Sequence, residues 1–303
     1  MTPRAHGLRL GGLRFAVVPP SGDVSTEDED DVYAPFSESI PPAAADVQVH
    51  LSFDEAPDVR RMSPLFEGGL LYTVYADGAD RVVVIQPPGA ARPSWIARFT
   101  LEVRDVTLWY DTVSSAPGEH LRGGVDPLRY PLDQILLMYA LASREGLLVH
   151  AAGAVVGGRT LLCCGRSGAG KSTLTRQFLA TGVTDILSDD RIIVRRVGTE
   201  LLAYGTPWPG EARIASAGSA PLCALLFLSK GRENTIRELS STEALHRLFP
   251  VGSIPWYDRG ALPGALAFCE WLIGAVPAFE LEFLPEPAAA ETVRDFFAQA
   301  VVA

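Results

Sequence analysis

The sequence has no uninterrupted apolar run of the roughly 18 residues that a membrane-spanning helix needs. Near the N-terminus, Leu13–Val18 is too short for the apolar core of a secretory leader, and Pro19 and Pro20 follow it directly. Cysteine is scarce. The four cysteines show no zinc-ligand or disulfide spacing, and Cys163 and Cys164 lie in an apolar run as small hydrophobic residues. We therefore expect a cytoplasmic protein with no membrane partner.

Basic residues are also fewer than acidic residues. Lysine and arginine number 26 against 36 acidic residues, which gives a formal net charge of −10. No basic stripe is visible, so we expect no nucleic-acid partner. A phosphate ligand is not excluded, because backbone N–H groups and a single lysine can bind one locally.

The 303 residues are enough for two domains. Residues 1–125 show short alternating segments separated by turns, which predicts a smaller β-rich domain. Gly11 and Gly12 indicate a hairpin there. The acidic run 27–31 is typical of a solvated loop, and it lacks the glycine that a calcium loop requires. A Gly/Pro-rich link at 117–127 places the domain boundary at 125/126.

Residues 126–303 alternate helical and strand patterns, which predicts an α/β domain with a mixed β-sheet. Residues 131–145 have helical periodicity and are followed by a short strand at 147–150. A hairpin is then expected through Gly157 and Gly158. Its second strand leads into a glycine-rich loop and a helix at 171–180.

That loop, residues 165–172, reads Gly-Arg-Ser-Gly-Ala-Gly-Lys-Ser and fits the phosphate-binding pattern G-x-x-x-x-G-K-[ST]. Its glycines permit backbone angles that let several N–H groups face one anion. Lys171 can reach the β- and γ-phosphates, and Ser172 is the usual magnesium ligand. A chance glycine-rich turn would lack the strand before the loop and the helix after it. The predicted nucleotide-binding residues are Gly165, Arg166, Ser167, Gly168, Ala169, Gly170, Lys171, Ser172 and Thr173.

Two further groups accompany the loop. Asp189 and Asp190 follow a predicted strand, where one carboxylate can hold magnesium and the other can accept the proton of an attacking hydroxyl. The simpler alternative is that one of the pair caps a turn. His150 ends the strand before the hairpin. A single histidine is usually structural, but its position beside the loop-bearing hairpin makes it a candidate functional residue.

These features together resemble the catalytic domain of the bacterial HPr serine kinase/phosphorylase family, whose core is shared with phosphoenolpyruvate carboxykinases. The clear resemblance covers roughly residues 147–197, and a weaker one to HPr-kinase-related proteins continues through 205–211 to the C-terminus. It implies an HPr-kinase-like P-loop core that binds ATP and Mg²⁺, and it favours a homo-oligomer.

The resemblance also implies roles for individual residues. Lys171 and the loop backbone would bind the phosphates, while Ser172, Asp190 and Glu211 would hold magnesium. Asp189 would be the general base, beside His150, although the roles of the two aspartates could be reversed. A surface position in a loop is the alternative for Glu211. Thr173 stands where the HPr enzymes typically carry Glu, and residues 1–125 do not resemble their regulatory domain, so the acceptor stays open.

Three functions compete. The first is a kinase that transfers the γ-phosphate of ATP to a hydroxyl of a protein, a peptide or a small molecule. The second is a nucleotide-gated binding or regulatory module with little or no transfer. The presence of two carboxylates favours the kinase, because a switch needs no base for an alcohol. The third, a carboxykinase, needs further cationic substrate residues, which Arg166 and Arg191 do not settle.

Overall fold

The computed structural model describes residues 6–20, 32–69, 71–90, 93–110, 128–183 and 185–302. The acidic run 27–31 and the link 117–127 lie outside these residues. Across the described part of the chain, no helix combines the length and the apolar character needed to cross a membrane.

The chain divides into two compact units. The first comprises Met1–Ser143 with Pro255–Leu262, and the second comprises Arg144–Ile254 with Pro263–Ala303. The division therefore falls after the helix at 132–142 and not at 125/126. The two units are nearly equal in length, so the first is not the smaller domain that the sequence predicts.

A nine-stranded sheet forms most of the first unit. Its strands are β1 (His6–Leu10), β2 (Leu13–Val18), β3 (Ser37–Ser39), β4 (Val47–Ser52), β5 (Ser63–Gly68), β6 (Tyr72–Asp77), β7 (Asp80–Ile85), β8 (Trp95–Thr100) and β9 (Asp105–Tyr110). Short 3-10 helices occupy Ala34–Phe36, Pro42–Ala44 and Val59–Arg61. The strand order is β3-β1-β2-β4-β9-β8-β7-β6-β5, and β4 is parallel to both its neighbours while all other pairs are antiparallel.

Helix α1 (Leu132–Ala142) and the segment Pro255–Leu262 belong to this unit because a buried polar network joins them to the sheet. Arg81 on β7 donates to Asp258 through Nε at 2.5 Å and through Nη2 at 2.8 Å. The Tyr139 hydroxyl of α1 donates to the same carboxylate at 3.0 Å, and its ring packs against Phe99 on β8. Asp258 is 1% exposed, so its charge depends on these partners.

The second unit contains eight strands and four helices. The strands are β10 (Gly146–Val156), β11 (Arg159–Cys164), β12 (Ile186–Ser188), β13 (Arg191–Val197), β14 (Glu200–Tyr204), β15 (Ser219–Lys230), β16 (Thr235–Glu238) and β17 (Ala278–Phe283). The helices are α2 (Lys171–Ala180), α3 (Ser241–Leu248), α4 (Leu262–Ala275) and α5 (Ala288–Val302), of which α4 begins at the last residue of the first unit.

Five of these strands close into a ring. Antiparallel pairing joins β11 to β10, β10 to β13, β13 to β14 and β14 to β15, and β15 is parallel to β11. Strands β17 and β16 extend the sheet beyond β15, and β12 pairs with β10. Leu174 and Phe178 of α2 and Val293 and Phe297 of α5 pack with buried side chains of β11, β15 and β17 in one apolar cluster. This packing fixes α2, and with it the glycine-rich loop, on the sheet.

The structure confirms an α/β fold with two mixed sheets, and it confirms the hairpin through Gly157 and Gly158, whose φ angles are +58° and +77°. Positive angles at both turn residues are what a two-residue hairpin of the I′ type needs. The helix predicted at 171–180 is α2. The short strand predicted at 147–150 and the hairpin strand that follows it are one continuous strand, β10, and the sequence analysis did not identify β16.

Candidate active site

His150 stands where the long strand β10 changes partners. Residues 146–150 of β10 pair with β13, with His150 opposite Arg191, and residues 151–156 pair with β11. The backbone N–H of Gly165, the first residue of the glycine-rich loop, donates to the carbonyl oxygen of His150 at 3.1 Å. The predicted histidine and the predicted loop are therefore adjacent through the backbone itself.

The glycine-rich loop connects β11 to α2, as the sequence predicts. Gly168 and Gly170 have φ angles of +78° and +103°, which side chains disfavour. A Cβ on Gly170 would lie 2.6 Å from the Phe283 ring, and one on Gly165 would lie 2.6 Å from Ala169. The N-cap of α2 is Gly170, which has no side chain to accept from the first amides of the helix. The loop therefore offers a helix N-terminus of the kind that binds phosphate groups.

Lys171 is the first residue of α2, and its side chain is only 6% exposed. Its Nζ donates to the carbonyl oxygen of Gly165 at 3.0 Å, lies 2.9 Å from His150 Nε2 and is 3.8 Å from Asp190 Oδ1. Burial lowers the pKa of Lys171, while the nearby carboxylates of Asp190 and Asp189 act in the opposite direction. The lysine thus lies beside the start of the loop, with its amine directed at polar groups.

Asp190 lies beside three basic side chains, those of His150, Lys171 and Arg191. Its Oδ1 is 2.8 Å from His150 Nε2, and its Oδ2 is 3.8 Å from Arg191 Nε. Burial opposes ionisation of this carboxyl, but the hydrogen bond from His150 and the charges of Lys171 and Arg191 hold its pKa below the ordinary value. Its side chain is 30% exposed, in contrast to the buried neighbour Asp189.

One ring nitrogen of His150 lies near both a hydrogen-bond acceptor and a hydrogen-bond donor. Nε2 is within hydrogen-bond distance of the Asp190 carboxylate and of the Lys171 ammonium. Since that nitrogen either carries a proton or does not, it can donate to Asp190 or accept from Lys171, but not both at once. Moving Lys171 Nζ onto a phosphate oxygen would free His150 to donate to Asp190.

Asp189 occupies a different environment from its neighbour. It is fully buried, and its two carboxylate oxygens accept three backbone N–H groups, from Gly210, Ala212 and Ile214. Glu211 lies within that same stretch and is exposed. Its carbonyl oxygen is 3.4 Å from Nη2 of Arg176 on α2. The structure thus brings His150, Lys171 and Asp190 together, while Asp189 contacts the backbone that flanks Glu211.

The remaining predicted residues line the loop and the first turn of α2. Arg166, Ser167 and Gly168 are exposed, and Ser172 and Thr173 are partly buried. Ser172 offers a hydroxyl oxygen, and Asp190 and Glu211 offer carboxylates, which is the oxygen-rich donor set that Mg²⁺ prefers. Among the described residues no group of three or more His, Cys, Asp or Glu side chains could hold a metal ion by itself. The residues therefore fit a magnesium ion that also takes ligands from a nucleotide, as is usual for Mg²⁺ in phosphoryl-transfer sites.

Comparison with known proteins adds little at the level of sequence. No family model matches the chain, and no curated protein matches it. Among solved structures, the HPr(Ser) kinase/phosphatase from Coxiella burnetii is similar over 50% of this chain and 97% of its own, with 14% sequence identity and a TM-score of 0.31. A likeness this distant carries no assignment of function, so the proposals below depend on the site itself.

Arg176 and residues 210–214 contribute to the site without having been predicted from the sequence. Arg176 follows Ser172 by four residues on α2, so helical periodicity alone places the two on one face. The amides of residues 210–214 left no such signal, because backbone donors have no characteristic residue type.

Proposed function

We propose that the second unit is an ATP-dependent phosphotransferase that uses magnesium and transfers the γ-phosphate to a hydroxyl of a protein, a peptide or a small molecule. The observation that supports this most strongly is the meeting of Lys171 Nζ, His150 Nε2 and Asp190 Oδ1 within 2.8–3.8 Å of one another beside the start of the glycine-rich loop. A cation for the phosphates and a carboxylate that is ionised at neutral pH are the two charged groups that phosphoryl transfer needs from a protein.

In this proposal the backbone of residues 165–173 and Lys171 bind the phosphates. Ser172 and Glu211 would hold magnesium, which neutralises charge on the phosphates when bound. The partly exposed carboxylate of Asp190 accepts the proton of the acceptor hydroxyl, a role that the sequence first suggested for Asp189. His150, freed from Lys171 by the nucleotide, donates to Asp190 and orients it.

A labelled transfer assay tests this proposal. Purified protein is incubated with magnesium and ATP carrying a γ-³²P label, with fractions of a bacterial lysate as acceptors. We expect label in a product that the wild-type protein forms and that the Lys171→Ala variant does not. Labelled inorganic phosphate as the sole product, across protein and small-molecule fractions, would contradict the transferase assignment.

One observation favours a second candidate, a nucleotide-gated binding module with little or no transfer. Three amides occupy the Asp189 carboxylate, which leaves Asp190, whose side chain is 30% exposed, as the more accessible carboxylate of the pair. A switch needs one metal carboxylate and no base. The two candidates differ in the same assay, because the module would bind magnesium and ATP with no labelled product.

A further inference from the structure

Asp189 is a buried carboxylate whose partners are all backbone amides in one short stretch of chain. Its Oδ1 accepts from Gly210 N at 2.8 Å and from Ile214 N at 3.2 Å, and its Oδ2 accepts from Ala212 N at 2.7 Å. We call residues 210–214 the clasp. Three amide donors thus satisfy both oxygens of a carboxyl group that solvent does not reach.

The donors alternate along the clasp, and this alternation has a consequence for the residues between them. The amides of residues 210, 212 and 214 bind Asp189, while the intervening Glu211 and Arg213 are exposed. Arg213 has a φ angle of +56°, and its own N–H donates to the carbonyl oxygen of Gly210 at 3.1 Å. A left-handed arginine persists only where surrounding contacts determine the backbone, and here the hydrogen bonds to Asp189 supply them.

The clasp also touches both elements that carry the predicted magnesium ligands. A Cβ on Gly210 would lie 2.7 Å from Asp189 Oδ2 and 3.1 Å from the Cβ of Asp190, so the backbone at Gly210 packs directly against the aspartate pair. One residue later, the carbonyl oxygen of Glu211 meets Arg176, four residues after Ser172 on α2. The backbone at residues 210 and 211 therefore contacts both the aspartate pair and α2, the helix that carries Ser172.

The clasp lies within a wider loop, residues 205–216, whose ends are bonded to the residues that flank the aspartate pair. Ser216 N donates to the carbonyl oxygen of Leu187 at 2.9 Å, and Thr206 Oγ1 donates to that of Arg191 at 2.7 Å. A Cβ on Gly205 would lie 1.9 Å from the Ser216 carbonyl oxygen, so the loop closes tightly at its base. Residues on both sides of Asp189 and Asp190 thus hold the loop that carries the clasp.

We infer that Asp189 is a positioning residue, which holds the clasp so that Glu211 is presented to the metal of a bound magnesium nucleotide, and that it is not the general base. The part that concerns magnesium rests on the proposed function. A base must come within roughly 2.6–3.2 Å of the hydroxyl whose proton it takes. Asp189 is 0% exposed, and amides of its own chain occupy its oxygens, whereas Asp190 is accessible.

Hydrogen–deuterium exchange tests the positioning role without any ligand. In Asp189→Ala we expect the amides of Gly210, Ala212 and Ile214 to exchange about tenfold faster or more, because each has lost its hydrogen bond to Asp189. Asp189→Asn should be intermediate, since its remaining carbonyl oxygen can still accept from Gly210 and Ile214. The control is Asp185→Asn. Asp185 is exposed and lies directly before β12, the strand that leads to Asp189, so this change should leave exchange in the clasp unchanged. Unchanged exchange in both Asp189 variants would overturn the inference.

A double-mutant cycle tests whether Asp189 acts through Glu211. Isothermal titration gives the ratio of ATP affinity with magnesium to that with EDTA for the wild type, Asp189→Asn, Glu211→Gln and the double variant. We expect each single change to lower this ratio and the double variant to lower it no further than Glu211→Gln alone. Independent, multiplicative effects would mean that Asp189 does not act through Glu211, and an unchanged ratio in Glu211→Gln would remove Glu211 from the site. Either result overturns the inference.

The two proposals fail in distinguishable ways. If the wild-type protein does not bind ATP at all, the proposed function is wrong, and the role of Asp189 in holding the clasp is then decided by hydrogen exchange alone. If ATP binds but the Asp189 variants exchange the clasp amides at the wild-type rate, the proposed function stands and the positioning role does not.

Discussion

Replacement of Lys171 by alanine should remove most of the affinity for ATP. The chain has two lysines, Lys171 and Lys230, and only the first lies at the glycine-rich loop. In the proposed complex its ammonium leaves the Gly165 carbonyl and makes two charge-assisted hydrogen bonds to phosphate oxygens. Each such bond contributes about 1.5–3 kcal/mol. Their combined loss of about 3–6 kcal/mol corresponds to a roughly 10²–10⁴-fold higher Kd.

The measurement is isothermal titration with ATP and magnesium, accompanied by thermal unfolding to show that each variant is folded. Lys171 is 6% exposed, so Lys171→Met is the matched variant that keeps buried volume and removes only the charge. It should bind as poorly as Lys171→Ala. Lys230→Ala, at an exposed position, should bind like the wild type. A folded Lys171→Ala protein with a Kd within about threefold of the wild type would refute the assignment of the loop to phosphate binding.

Three further predictions concern Asp190, Asp258 and the Gly/Pro-rich link. Asp190→Asn should lower phosphate transfer by about 10²–10⁴-fold, the usual contribution of a positioned base, and a rate equal to the wild type would exclude Asp190 from that role. Asp258→Ala should destabilise the protein by about 3–5 kcal/mol in denaturant unfolding, because Arg81 would be left as an unpaired buried charge beside Tyr139. Burial raises the pKa of Asp258, but hydrogen bonds from Arg81 and other donors outweigh burial, so the pKa is lowered. The stabilisation from Asp258 is therefore complete above the ordinary pKa of 3.8 and is lost as the pH falls through the lower folded-state pKa. In Asp258→Ala this part of the acid dependence of stability should be absent. Limited proteolysis should cut first within the Gly/Pro-rich residues 117–127, and a first cut within 147–200 would contradict the predicted link.

Much of the site could be predicted from the sequence because its signals are local. The glycine spacing, the apolar strand before it and the helical pattern after it are consecutive in the chain, and the structure has β11, the loop and α2 in those positions. His150 could be predicted for the same reason, since the hairpin returns the chain from His150 to Gly165 within 15 residues. Whether these residues bind a nucleotide stays a prediction.

The features that could not be predicted are those that join distant parts of the chain. Asp189 meets amides more than twenty residues later, and those amides carry no side-chain signature. From the sequence, the favoured interpretation made both aspartates functional carboxylates, with a turn cap as the alternative for one of them. The same limit applies to Asp258, which reads as one more acidic loop residue until Arg81 of β7, 177 positions earlier in the chain, is found beside it.

The interrupted first unit has a consequence for how the protein is made. Its sheet and α1 precede Ser143, but the carboxylate that neutralises Arg81 and accepts from Tyr139 arrives only with Asp258. During synthesis the ribosome must therefore release most of the strands of the second unit before the first can complete its interior, although domains commonly fold in order from the N-terminus. A nascent chain halted between Ser143 and Pro255 would hold an uncompensated guanidinium in its core, and we expect the early part of this protein to become protease-resistant late in translation.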